Sequence, residues 1–191
     1  MFIVFDLETT GLPQRKYVHP YKTTNFNTSR MIEIGYMIVN EITGETVKEV
    51  SRLIRHESKI GINNSHIHGI TEEMVDDEGV KIHDVFDELY YDLKTVDTLV
   101  SHNMDFDLTI LLSEVYRRYP MYVHLLAELY SKTLCCTVQM GKALMPNGKY
   151  PKLIELHQKL FDEEWIQPHR ALEDAKVCAK CYLKLIKKNT E

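Results

Sequence analysis

Long apolar runs are the first thing this sequence lacks. Its most hydrophobic opening, "MFIVF", is cut off by Asp6, well short of the ~20 residues needed to cross a bilayer and too short for a signal-peptide core. Membrane insertion and secretion are therefore not expected, and an intracellular, cytoplasmic setting is, with nucleoid or nucleus as its variants. Cysteine is scarce as well: only Cys135, Cys136, Cys178 and Cys181 occur. Adjacent cysteines are badly placed to share a tetrahedral ion and the paired spacing of zinc sites is missing, so reduced thiols near the core fit better than a zinc site. Repeats, linkers and low-complexity tracts are absent, and 191 residues suit one domain over 1–191. Basic charge is not in excess: 23 Lys and Arg against 28 Asp and Glu leave a formal charge of −5. That argues against non-specific coating of nucleic acid, while leaving room for an acidic site that a metal neutralises.

What is present alternates between strand and helix periods. "MFIVFDLE", "MIEIGYMIVN" and "VKEVSRLIRH" read as three strands. Thr43-Gly44 between the second and third is a hairpin signal, making an antiparallel meander. "DVFDELYYDLKTV" and "FDLTILLSEVYRRY" repeat at helical spacing on either side of a short buried strand, "DTLVSHN". Residues 123–145 are expected to be helical in part. "KLIELHQKLF" sets Leu153, Leu156 and Leu160 on one face, and a last helix from about Ala171 carries Leu172, Ala175, Ala179, Tyr182 and Ile186. The pattern implies an α/β fold with a mixed five-stranded sheet, meander plus parallel strands, flanked by helices. Thr71 is placed to cap the acidic start "TEEMVDDE". Lys176, Lys180, Lys184 and Lys188 recur every fourth residue off the apolar stripe and read as a solvated face.

Residues 13–30 are long for a connection between two strands. They carry Arg15, Lys16, Lys22 and Arg30 among Tyr17, Tyr21 and Phe26. Cations grip phosphates and aromatic rings stack on bases, so a nucleic-acid contact and a solvated, mobile excursion stand as equal readings.

The chemistry lies in three acidic segments. In "FDLETTGL", Asp6 and Glu8 share one face of a strand, with Phe5 and Leu7 on the other. Two carboxylates so placed repel unless a cation lies between them, and oxygen-only ligands suit Mg²⁺ or Mn²⁺. Asp107 in "SHNMDFD" falls in the first turn of a helix, with Asp105 a nearby decoy. In "QPHRALEDA", a loop histidine, His169, and a helical aspartate, Asp174, can converge, with Glu173 the decoy.

Together these segments resemble the DnaQ-like, or DEDDh, 3′–5′ exonuclease superfamily, over nearly the whole chain. The first family motif matches Asp6 and Glu8, the second Asp107, and the third His169 with Asp174; "HIHGIT", His66 to Thr71, matches a segment before an acidic helix. Histidine five residues before the last aspartate, with Arg170 at the tyrosine position of the sister branch, places the likeness in the histidine branch, and "DLETTGL" is closest to the proofreading, epsilon-like type. Two features depart from the family: the long 13–30 loop, and Cys136-Thr137 where an Asp-Thr pair is common.

The resemblance implies a ribonuclease H-like fold and two divalent cations held by Asp6, Glu8, Asp107 and Asp174. It implies His169 as general base, a role that suits imidazole near neutral pH. Substrate contacts would come from Thr9, Thr10, Leu12, His68, His102, Asn103 and Phe106. The expected substrate is a single-stranded or frayed DNA 3′ end, in proofreading or repair, with a separate polymerase subunit as partner. The competing readings are an RNA-trimming enzyme on the same core and a catalytically inactive module that binds nucleic acid or a polymerase.

Overall fold

A computed structural model describes residues 1–15 and 17–188, the side chain of Lys188 excepted. Lys16 and that side chain, both singled out above, lie outside the described residues. Strand β1 (Phe2–Thr9) is buried on both faces. Ile3, Phe5 and Leu7 enter the larger core cluster, while Phe2 and Val4 enter a second cluster on the opposite side. Burial on both faces is what a central strand between two helical layers requires. β2 (Met31–Val39) pairs antiparallel with β1, and β3 (Thr46–Arg55) pairs antiparallel with β2, as the meander demanded. The turn between them uses Gly44 at φ 76, a left-handed conformation open to glycine at little cost. β5 (Thr98–Ser101) runs parallel to β1 on its other edge.

The sheet has six strands among the described residues, not five, in the order β4-β3-β2-β1-β5-β6. β4 (Val80–Lys81) is two residues long and pairs parallel with β3; so short a strand leaves no period to read. β6 (Thr133–Cys136) sits within the segment expected to be helical in part. It is a half-exposed edge strand parallel to β5, between helices α5 (Val123–Ser131) and α6 (Thr137–Gly141).

Helices α1 (Ser65–His68) and α2 (Glu72–Glu78) precede β4; Thr71 caps α2 by accepting from the Met74 N–H at 3.2 Å. α3 (Ile82–Leu93) and α4 (Met104–Tyr116) cover the face that carries Phe5 and Leu7. α7 (Leu153–Phe161) and α8 (Ala171–Lys188) cover the other. α8 presses on β2 at Gly35, where a Cβ would lie 2.0 Å from Leu172 N, so no side chain fits there. All four cysteines are free thiols, Cys178 and Cys181 buried and Cys135 and Cys136 partly so. Among the described residues, no helix is long and apolar enough to cross a membrane.

Candidate active site

Asp6 and Glu8 continue the Phe2–Val4 face of β1 and so point toward the layer of α8. Across the ladder Asp6 faces Gly35 and Glu8 faces Glu33, and the register shifts after Glu8. The chain then turns sharply. Thr9 Oγ1 donates to Gly11 O at 2.8 Å, the Asn64 amide donates to Thr9 O at 2.9 Å, and the Arg30 N–H donates to Thr10 Oγ1 at 2.9 Å. Both threonine hydroxyls are thus engaged within a buried turn, while Leu12 is left 74% exposed.

Asp107 arrives from the first turn of α4, after Asn103 turns the chain through a left-handed conformation at φ 82. It is buried, and its Oδ2 accepts the Ser101 hydroxyl at 2.6 Å. Asp174 comes from the first turns of α8 and is likewise buried. His169 sits just ahead of that helix with φ +51; this left-handed residue brings a loop histidine and a helical aspartate to one place. Glu8, His169 and Asp174 each offer a ligand atom, and these atoms all lie within 4.8 Å of one another. Asp6 and His169, with His102 and Asn103, line one open cleft of about 670 Å³. Asp105 and Glu173 are exposed, as decoys should be.

Electrostatics mark the cluster. Burial, then repulsion from Asp174, Glu33 and Asp107, pushes Glu8 up to about 8. Burial pushes Asp174 to about 6, against the opposing hydrogen bond from Gln167. Asp6 and Asp107 are both raised by burial and by neighbouring acids, Asp107 less so because Ser101 and the Leu7 backbone N–H donate to it. Asp174 Oδ2 takes the Gln167 amide, yet Oδ1 is buried with no hydrogen-bond partner. Four acids that repel one another, one with an orphaned oxygen, form a donor set suited to hard divalent cations.

Sequence reasoning missed Glu33 and Gln167 here. Glu33 is 1% exposed and accepts from Arg170 Nη2 at 2.6 Å, from Arg170 Nε at 3.1 Å and from the Ala171 N–H at 3.0 Å. It thereby caps the start of α8 and fixes the residue next to His169. An acid within the otherwise apolar "MIEIGYMIV" was the available signal. Gln167 offered none.

The expected substrate residues divide. His102 lines the cleft, but its Nδ1 meets Thr137 Oγ1 at 2.9 Å and its Nε2 meets Pro151 O at 3.2 Å. Burial lowers it to about 4, so it is neutral at physiological pH. Asn103 is exposed at the cleft and Phe106 packs partly against the main core. His68 is 2% exposed; its Nδ1 accepts the Ile70 N–H at 3.0 Å, and its Nε2 is without a partner.

Residues 3–182 match the family described as "Exonuclease", RNase_T. The chain is 30% identical over 186 residues to a DNA polymerase III subunit epsilon of Rickettsia felis, covering 96% of this chain and 72% of the relative. It is 28% identical over 186 residues to a PolC-type DNA polymerase III of Thermotoga petrophila, covering 97% of this chain and 12% of the relative. The chain thus spans about an eighth of the PolC-type relatives it matches. Exonuclease X in complex with 5′ overhanging duplex DNA superposes with a TM-score of 0.66 at 24% identity, over 100% of this chain and 94% of that one.

Proposed function

The chain belongs to the RNase_T exonuclease family, and from that premise we propose that it is a metal-dependent 3′–5′ exonuclease releasing nucleoside monophosphates. The observation that carries this reading is the gathering of Asp6, Glu8, Asp107 and Asp174 from three distant segments, with a ring nitrogen of His169 within 4.8 Å of Glu8 and Asp174. These four carboxylates would hold two divalent cations, Mg²⁺ or Mn²⁺. When bound, such ions supply a polarised water and offset charge on the scissile phosphate. Among the chain's own groups, the imidazole of His169 accepts a proton from the attacking water on a ring nitrogen. Its left-handed backbone and the Glu33–Arg170 pair next to it hold the ring where Glu8 and Asp174 meet. Ser101 and Gln167 orient Asp107 and Asp174 by donating to one oxygen of each.

Substrate selection follows from the cleft. Leu12 stands exposed at the turn after Glu8, free to lie under a terminal base, while the Thr9-Thr10 backbone flanks the 3′ hydroxyl. His102, neutral and doubly hydrogen-bonded, forms a fixed wall with Asn103; His68 and Phe106 complete the list. A DNA 3′ end, single-stranded or mismatched, is the favoured substrate, since the relatives are named as DNA polymerase III components. A separate polymerase subunit is the partner consistent with that likeness.

Digestion of matched DNA and RNA single strands with Mg²⁺ or Mn²⁺ tests this. Stepwise shortening of DNA from a free 3′ end, stopped by a 3′ block but not by a 5′ block, is the expected result. Binding of oligonucleotides without shortening under either ion would overturn the enzymatic reading, and faster digestion of RNA would overturn the substrate assignment.

A further inference from the structure

The 13–30 excursion is neither wholly loose nor part of the chemistry just described. Its base is latched: Thr28 Oγ1 donates to Leu12 O at 2.8 Å, and the Gln14 N–H donates to Asn25 O at 2.9 Å. A 3₁₀ turn, Thr23–Phe26, drives Phe26 into the main core, where it is 1% exposed. From α4, Arg117 Nη2 donates to Thr23 O at 2.6 Å and to Asn27 Oδ1 at 2.9 Å. Arg30 donates to the fully buried Glu114 at 2.6 and 3.0 Å. The strap is therefore a shelf tied at its base through Gln14 and held on α4 over residues 23–30, so these parts are not a loose excursion.

What the shelf displays is less easily explained by folding. Arg15, Tyr17, His19, Tyr21 and Lys22 are all exposed. Tyr17 is fully open to solvent at 103% and Tyr21 is 57% exposed. The His19 and Tyr21 rings lie 4.6 Å apart, and Tyr116 of α4 approaches them at 6.2 and 6.5 Å. Among the described residues neither Arg15 nor Lys22 forms an ion pair, in a chain whose net charge is −5. Exposed rings with unpaired cations on a support tied to α4 are the parts of a single-strand platform: bases stack on the rings and phosphates meet the cations. A protein partner would leave the two cations to find acids, whereas a nucleic-acid strand satisfies rings and cations together. Tyr17 follows Leu12 by five residues, so it lies within ~18 Å of Leu12, on the turn that follows Asp6 and Glu8.

We propose that this shelf binds the single-stranded DNA leading into the cleft, upstream of the terminal nucleotide, with Tyr17 and Tyr21 as stacking surfaces and Arg15 and Lys22 as phosphate contacts. The proposal rests on the exonuclease reading for the direction of the strand, and the experiment separates the two. Three proteins are compared: wild type, Tyr17→Ala/Tyr21→Ala and Arg15→Ala/Lys22→Ala. Affinity for a fluorescent single-stranded DNA is measured by anisotropy in EDTA over a salt series. Hydrolysis of thymidine 5′-(p-nitrophenyl) phosphate with Mn²⁺ reads the catalytic centre alone. The aromatic pair is expected to weaken strand binding by about tenfold or more with an unchanged salt slope. The basic pair is expected to lower the slope of log K against log salt by about 1.4, two single-strand contacts' worth. Ester hydrolysis should stay at the wild-type rate in both. Wild-type affinity and slope in both variants would overturn the proposal and leave the nuclease reading intact, as would a parallel loss of ester hydrolysis, which would assign the effect to the centre itself. Wild-type protein that cleaves neither the ester nor the single strands of the digestion test above, yet binds DNA through the shelf, would overturn the nuclease reading and uphold this one. Tyr17→Ala alone, at a side chain fully open to solvent, repeats the test with little risk to the fold.

Discussion

Removing divalent metal should make this protein lose stability as pH rises above neutrality. Burial and like charge hold Glu8 at about 8, above the ordinary 4.5 of a glutamate. The folded chain therefore keeps a proton that the unfolded chain has already released, and ν is larger in the native state. Stability from this group is fully present below the unfolded value and is lost as pH climbs through the folded one. Asp6 and Asp107, both raised, act in the same direction. His102, lowered to about 4 by burial, acts in the opposite direction, but only below the ordinary histidine value of 6.5. The clean window is therefore about pH 6.5 to about pH 8, below the ordinary cysteine value of ~8.5. Glu8 alone crosses ~1.5 pH units there, worth about 2 kcal/mol at ~1.4 kcal/mol per unit, or ~4–8 °C in Tm for a chain of this size. Differential scanning calorimetry in EDTA should show that fall. Mn²⁺ should flatten it, because ion binding stabilises the folded state and competes best when the acids are ionised. A Tm in EDTA that is flat or rising across the window, or a Mn²⁺ stabilisation that is equal at both ends, would refute the clustering of the acids.

Three further outcomes follow from named contacts. His169→Ala should lower kcat by about 10²–10⁴ while calorimetry shows metal affinity retained; equal loss of affinity would make the imidazole a ligand. Glu33→Gln weakens the charged latch on Arg170 and should cost about 1–3 kcal/mol in denaturant unfolding, with kcat falling more than KM rises, because the start of α8 is what it positions. An unchanged kcat would remove Glu33 from the positioning of His169. Gly35→Ala puts a Cβ 2.0 Å from Leu172 N, so α8 must retreat. Stability should drop by about 1–3 kcal/mol with a matching loss of turnover, and wild-type melting and activity would show that the helix does not need that contact.

The legible and illegible parts of this molecule divide by sequence distance. Asp6 and Glu8 could be read because a strand period places them on one face, and the hairpin at Thr43-Gly44 because turn chemistry is local. α8 could be read from its stripe. β4 and β6 could not: two and four residues carry too little pattern, and their pairing with β3 and β5 is decided by the sheet rather than by their own composition. Pairs far apart in the chain were illegible for a different reason. Arg170 meets Glu33 across 137 positions, and Arg30 meets Glu114 across 84. Nothing in either residue type says which opposite charge it will find. The 13–30 segment shows the consequence: its composition announced rings and cations, but that the strap is tied to α4 depends on Arg117 and Glu114, which no local reading connects to it.

The same division explains how the fold tolerates its own site. Four acids with raised proton affinities oppose folding whenever they are ionised and unneutralised. The opposing groups come from outside the cluster and point at its rear: Ser101 and a backbone N–H at Asp107, Gln167 at Asp174, and Arg170, whose charge favours ionised Glu8 while its guanidinium grips Glu33. At Asp174 this leaves Oδ1 without a partner and open to an ion. A scaffold that neutralised the acids fully, with an arginine bidentate on each, would be more stable without metal and would have no open oxygen to offer one. The orphaned Oδ1 of Asp174, on the residue that gathers with Glu8 and His169, is the atom at which that compromise is visible.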